Sequence, residues 1–545
     1  MAETAQYRRY RAPQEDGQVL VDPPRASLAA VVARNRRHAG TLDYDLQGRS
    51  LRKLAATARR SLVERAVDYT TQYRELGDAS AAIARHANAP LVLSGHQPQL
   101  YHPGVWYKNF VLGQLAGEVD GVAIHLLIDS DSCRTATIRV PTGSVDLPRV
   151  ESLPFDIPAA AMPYEERAVC DEALFDSFPN RVAAMLRPFI AAPVVNELWP
   201  LIRKRTSGET NLGRRIAQGR HSLEAAWGNE TLELPQSAVC GLREFAWFLA
   251  HVLAHLPRFR AAYNEALDSY RRAHGLRNRA HPVPDLAHED GWLEAPFWIW
   301  STDDPRRQPL FVRQRGGELL ISDRQQRSFA LSLTEDGDAA IAVEQFEDLA
   351  ARGIKIRTRA LTTTLFARLL LSDIFLHGIG GAKYDQVTNQ IAEQFFGFAL
   401  PEFATVSATL RLPIDHPRSN AEQLLSTRQQ LRELNYHPER SLSGDGAATV
   451  QTSANAASIL ADKRRWLATP VTPNNARARH LGIHAANAAL QSFVQPRRDQ
   501  LRRQLNTVVE ALHAKAILES RDYSFVLYPG EDLRRLLLDG AAAGE

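Results

Sequence analysis

Sulfur is scarce in this chain. Three cysteines, Cys133, Cys170 and Cys240, stand far apart and odd in number among 545 residues. That pattern excludes a disulfide framework and has no zinc-ligand spacing, so it suits a reducing compartment. Long apolar runs are absent as well: nothing approaches the roughly 18 apolar residues of a membrane-crossing helix. The polar start MAETAQYRRYRAPQEDG has no apolar signal core. Excess charge is missing too, because 65 Lys and Arg face 62 Asp and Glu, a net +3. The expectation is a soluble cytoplasmic protein with no membrane and no nucleic-acid partner.

What remains is ordinary globular material, 44% hydrophobic and 23% charged, long enough for about two to four domains. Its most informative stretch is LVLSGHQPQLYHPGVWYKNF at 91–110. Leu91, Val92 and Leu93 read as a buried strand, Ser94-Gly95 ends it, and Pro103-Gly104 opens a helix. In an open parallel sheet such a junction sits at the carboxyl edge, where helix N-terminal amides face a crevice. The turn gathers His96, Gln97, Tyr101, His102, Trp106 and Lys108, polar and aromatic groups that are costly to bury without a ligand. Histidines that merely cap and pack are the competing reading.

A second apolar run, GVAIHLLI at 121–128, completes a βαβ unit and ends in Asp129, Ser130, Asp131, Ser132, Cys133 and Arg134. Asp129 and Asp131 could orient an amine, a sugar hydroxyl or Mg²⁺, or only cap the turn. Farther on, 354–359 (IKIRTR) alternates as a strand, 360–375 reads as helical, and the turn HGIGGAKYD leads into a helix at 386–396. Gly378, Gly380 and Gly381 would let backbone amides approach an anion, with Lys383, Tyr384 and Asp385 beside them. The turn matches neither the P-loop nor the dinucleotide fingerprint. A short strand at 406–410 places Ser407 and Thr409 on one side.

The other segments frame these motifs. Residues 1–90 are a helical approach, with helices at 29–36 and 51–73. Residues 141–163, rich in proline, read as a surface connection, and helices follow at 171–186, 192–207 and 213–227, the last capped within Thr210-Asn211-Leu212-Gly213. A single helix is expected at 245–270, carrying His251 and His255 four apart, a metal half-site without a third ligand. Trp292, Phe297, Trp298 and Trp300 lie beside Asp285, Glu289 and Glu294, a strand core or a sugar or cation site. A hairpin joins 310–312 to 318–322. Past 416, helices at 421–435 and 454–467 flank a Ser/Gly-rich link at 441–447, and Val494, Leu501, Leu505, Val508 and Leu512 space out as a coiled-coil seam suited to a homodimer. At 521–529 a strand or extended piece returns to the body, and its Arg521, Tyr523 and Tyr528 could face the crevice.

Taken in order, these pieces resemble the bacillithiol synthase family, cysteine-adding ligases that complete a glucosamine–malate thiol. Its first motif, approximately GQQxGLFTGPLYTxYK, is matched by Gly95, Gln97, Leu100 and Tyr101, with Lys108 two residues early. Its second block resembles Ile356-Arg357-Thr358-Arg359 through Gly378-Ile379-Gly380-Gly381, and its third resembles Phe396-Gly397, Pro401 and Ser407-Ala408-Thr409. The resemblance implies an α/β fold: a Rossmann-like parallel-sheet core in two parts (91–140 and 354–415), a mixed helical and β insertion (141–353), a helical coiled-coil arm (416–520) and a return segment (521–545). The chain departs from the family in carrying His96 and His102, and in Asp129-Ser130-Asp131-Ser132, which lacks the family's histidine.

The expected function is an enzyme, ligase-like or transferase, joining an amine- or thiol-bearing small molecule to a sugar or other metabolite. His96 and His102 would be general acid–base groups, since free imidazole titrates near neutrality, and Lys108 would offset developing charge. Gln97, Tyr101, Trp106, Asp129, Asp131, Arg134, the 378–385 turn, Ser407 and Thr409 would bind substrate. No metal-binding site is expected; the cofactor is left open, with a nucleotide or Mg²⁺ as candidates. The alternatives are a non-catalytic dimeric binding protein on the same scaffold and a nucleotidyltransferase.

Overall fold

The architecture follows from a handful of apolar runs that have to be buried on both faces. A computed structural model describes residues 7–76, 88–204, 208–315, 317–416, 421–442 and 454–540. The chain divides into a larger unit (1–140, 152–412, 521–545) and a smaller one (141–151, 413–520).

The strands of the two main sheets in the larger unit are β1 (Val19–Asp22), β2 (Leu91–His96), β3 (Val122–Leu127), β4 (Leu232–Pro235), β5 (Trp292–Ser301), β6 (Asp304–Arg315), β7 (Glu318–Ser322), β8 (Ser328–Leu331), β9 (Ile354–Thr358), β10 (Ile374–His377) and β11 (Ala404–Ala408). Helices that matter for the site are α1 (Leu28–Thr41), α2 (Leu51–Thr71), α3 (Pro103–Glu118), α4 (Leu212–Ala226) and α5 (Ile379–Phe396).

One sheet runs β1-β11-β10-β2-β3-β4. All neighbours in it are parallel except β1, which pairs antiparallel with β11. The chain builds outward from β2 to β3 and β4, then returns to the other side of β2 and builds β10 and β11. The strand order therefore reverses between β2 and β10. Strands buried on both faces need unbroken apolar sequence, and LVL, VAI and IFL supply it. Leu93 is in register with Ile124 on one side and Phe375 on the other. Leu91, Leu93, Ile124 and Leu126 share a core with Leu54, Leu62 and Ala66 of α2, each buried leucine contributing ~1.5–3 kcal/mol. Helix α3 brings Tyr107, Phe110, Val111 and Leu115, all buried, over β2, β3 and β11.

Several expectations are corrected. Strand β9 pairs with β5, Trp298 opposite Arg357, and so belongs to an antiparallel sheet ordered β8-β7-β6-β5-β9 instead of the parallel core. Its alternating sequence suits a strand with one buried face. The stretch 360–375 is helical only to Leu371, a short helix Ala360–Phe366 closing in a π turn, after which the chain becomes β10. Helix α5 starts at Ile379, not at 386, so Gly380, Gly381, Lys383, Tyr384 and Asp385 occupy its first turns. The helix expected at 245–270 is two, Arg243–Ala254 and Leu256–His274. Pro257 explains the break, because proline is tolerated at a first turn but not in a helix interior. The proline-rich connection contains a pairing of Thr137–Gly143 with Pro148–Pro154. The return segment is not a strand; it makes a 3₁₀ turn, Phe525–Leu527.

The smaller unit holds helices Ala421–Tyr436, Ala454–Ala468, Ala476–Leu490 and Gln495–Leu518. The first packs with the last and the second with the third, around Leu434, Leu442, Leu490, Val494 and Leu501. Val494, Leu501 and Val508 of the seam are buried within the chain, whereas Leu505 and Leu512 are only partly covered. The link at 441–447 lies outside the described residues from 443 on. Among the described residues no helix is long and apolar enough to cross a membrane.

Candidate functional site at the carboxyl edge of the parallel sheet

In open parallel sheets the crevice forms outside the carboxyl ends of the strands, where their order reverses. Here that point lies between the ends of β2, at His96, and of β10, at His377, with Ser94 and Leu376 in register. The two polar segments expected to converge therefore adjoin.

Each side chain there is placed by a local device. His102 is the N-cap of α3, its Nδ1 accepting the Gly104 N–H at 3.1 Å. Gly104 has to be glycine, since a Cβ would lie 2.1 Å from the Ala408 carbonyl oxygen at the end of β11. That close approach seats the start of α3 on the sheet edge. One turn into α3, Lys108 folds back and donates from Nζ to the Gly95 carbonyl oxygen at 2.7 Å; the residue is 2% exposed. His96, partly exposed, lies with its Nδ1 3.1 Å from the Gln97 carbonyl and its ring edge-on to Tyr101.

Beneath these groups lies a charged network that the sequence did not announce. Arg220 of α4 pairs with Glu224 on its own helix and with Glu233 of β4, and all three are buried. Glu224 also accepts from Trp106 Nε1 at 2.5 Å and from Asn109 Nδ2 at 2.9 Å. Trp106, expected in the crevice, is instead wholly buried with its N–H committed to that carboxylate. On β3, His125 Nδ1 meets Ser94 Oγ at 2.8 Å.

This environment changes the protonation expected of the site. Burial, with the Arg220 charge behind it, pushes the Lys108 ammonium down to about 7. Burial, then Lys108, lowers His96 to about 3; burial, then Arg521, lowers His102 to about 4. These shifts favour the neutral form of both imidazoles and bring Lys108, expected only as a fixed charge, close to its own titration range.

Asp129 and Asp131 are both already held. Asp129 accepts from the Ser237 N–H at 2.9 Å and Ser237 Oγ at 2.5 Å, and burial, then Glu165, raises it to about 6. Asp131 accepts from Gln97 Nε2 at 2.9 Å and from Arg307 Nη1 at 3.1 Å. The structure thus joins Gln97 to Asp131, while Arg134 is exposed. Among the described residues no group of three or more His, Cys, Asp or Glu side chains is placed to hold a metal. His251 and His255 share Gln47 Oε1, at 3.1 and 2.9 Å, as packing partners.

The glycine turn divides. Gly378 is the N-cap of α5, and a Cβ on Gly381 would meet His377 Nδ1 at 2.7 Å. Asp385 is buried, accepting from His377 Nε2 at 2.9 Å and Arg368 Nη1 at 2.6 Å. Burial opposes its charge, but Arg368 and His377 outweigh it and hold the carboxyl well below the usual range. Asp385 is therefore built into the sheet end. Lys383 is exposed and Tyr384 lies beside His281, their ring centroids 6.4 Å apart.

At the end of β11, Arg521 Nη2 donates to the Ala408 carbonyl at 3.1 Å and reaches Ser407 Oγ at 3.5 Å. Thr409 Oγ1 is spent on the Pro13 carbonyl at 2.7 Å. Arg521 Nη1 and the Tyr523 hydroxyl are buried without a hydrogen-bond partner among the described residues. Native interiors leave few such groups unmatched, so these donors have capacity to spare for a ligand.

No protein-family model matches this chain, and no curated protein matches it. The network residues that were missed had one faint signal, a glutamate inside the apolar strand LELP; Arg220 and Glu224, four apart on a helix, read as a solvated surface pair.

Proposed function

We propose that this is a Rossmann-like enzyme of bacillithiol-synthase type, a ligase or transferase that joins an amine- or thiol-bearing small molecule to a second metabolite at the carboxyl edge. The observation that carries the reading is Lys108: a 2%-exposed amine, bonded among the described residues only to a neutral carbonyl and lowered to about 7. An amine so poised takes a proton from an incoming ammonium or thiol and returns it to a departing group. Neutral His96 and His102 accept or donate hydrogen bonds at the rim, and Arg521 offers a guanidinium edge to an anionic substrate group. The free thiols suit a cytoplasmic enzyme.

A second reading, a non-catalytic binding protein on the same scaffold, is favoured by Trp106 and Asp385, both expected to bind substrate and both built into the interior. It would dimerise through the helical arm, where Leu425, Val471 and Leu481 are exposed.

The deciding experiment measures thermal-shift ligand binding and turnover for wild type, H96A and K108M with cysteine, amino sugars and nucleotides. Retained binding with lost turnover in K108M supports the enzyme. Turnover unchanged in K108M defeats it, and no shift with any of these compounds supports the binding-protein reading.

A further inference from the structure

The opposite edge of the same sheet carries a second feature. Against the amino ends of β2 and β10 lies a cavity of about 470 Å³ lined by Arg36 of α1, by Arg52, Arg59, Arg60 and Glu64 of α2, and by Asp373. Four guanidinium groups face two carboxylates there. Asp373, nearly fully buried, is consumed by the protein: it pairs with Arg59 and accepts the Leu91 N–H at 2.8 Å. Arg36 is partly engaged, donating from Nη2 to the Asn88 carbonyl at 2.7 Å while its buried Nη1, without a hydrogen bond among the described residues, pairs with Asp373 at 3.5 Å. Among the described residues Arg52 reaches only the Gly40 carbonyl, at 3.4 Å. Arg60 is exposed and has no ion pair among the described residues.

We infer that this cavity is a binding site for a polyphosphate-bearing metabolite. Guanidinium groups arriving from two helices present forked donors in several directions, which suits tetrahedral phosphoryl groups better than a single planar carboxylate. The surplus of two positive charges calls for an anion carrying at least two negative ones. The volume falls within the ~300–1,000 Å³ of small-molecule sites, enough for a nucleotide-sized anion. This site is separate from the carboxyl-edge crevice and does not depend on the enzyme reading.

Isothermal titration calorimetry of the full chain with inorganic triphosphate, ATP and citrate tests the inference. Arg52 and Arg60 are exposed, so R52A/R60A should keep the fold, which circular dichroism checks; R60E is the second variant. Triphosphate and ATP are expected to bind more tightly than citrate, and R52A/R60A to weaken them about tenfold or more. Added salt should weaken binding further. Binding of ATP but not triphosphate would mean that the base, not the phosphates, is recognised and would overturn the proposal. So would the absence of binding heat, or affinities unchanged in both variants.

Discussion

Replacing Lys108 by methionine should make the protein more stable at mildly acidic pH and less stable at high pH. Unfolded, the lysine titrates at the ordinary 10.5; folded, burial lowers it to about 7. Between those values the unfolded chain binds more protons than the native one, so native stability rises with pH. Below the folded value the whole penalty of a buried charge is present, and that difference in proton affinity corresponds to about 5 kcal/mol. Methionine removes the charge but leaves the Gly95 carbonyl without its donor, a loss of ~1–3 kcal/mol. The variant should therefore gain about 2–4 kcal/mol at pH 6 and fall below wild type by ~1–3 kcal/mol once the lysine is neutral in both states. Urea denaturation from pH 6 to 11, with circular dichroism as the probe, reads the crossing directly. Parallel stability profiles for wild type and variant would refute the argument, since Lys108 would then carry no buried charge.

Three further outcomes are expected. His102→Ala should cost ~1 kcal/mol through the lost cap of α3, and His102→Asn should restore it; if turnover stays low in the asparagine variant, the imidazole itself takes part in the chemistry. Asp385→Asn leaves Arg368 buried without its counter-charge and should destabilise by ~3–5 kcal/mol in chemical denaturation; a loss below about 1 kcal/mol would mean that Arg368 finds water there. Gly104→Ala drives a methyl into the Ala408 carbonyl, costing ~1–3 kcal/mol and shifting the start of α3, which a lowered melting temperature together with weakened ligand binding would report.

What could be read in advance was local. The strand–turn–helix at 91–118 emerged where expected because an apolar run, a Ser-Gly pair and a proline at a helix start each act over a few residues. Asn211 caps its helix as expected, accepting the Arg214 N–H at 2.9 Å. The stretch 360–375 misled because an apolar run alone does not distinguish helix from buried strand: it is helical to Leu371, and IFLH becomes a strand because β2 and β11 offer it a slot between them. Trp106 looked like a binding residue by its polar neighbours, yet its partner Glu224 lies 118 residues away.

By itself, then, the sequence determined that β2 and β3 would be strands, where α3 would start, and which side chains would crowd the end of β2. Only the tertiary structure decided their chemistry. The protonation of Lys108, His96 and His102 depends on how completely water is excluded and on Arg220 and Arg521, charges brought near by folding. Desolvation and Coulomb interaction act through space, so residue types and their spacing could name the participants without settling which of them holds the proton.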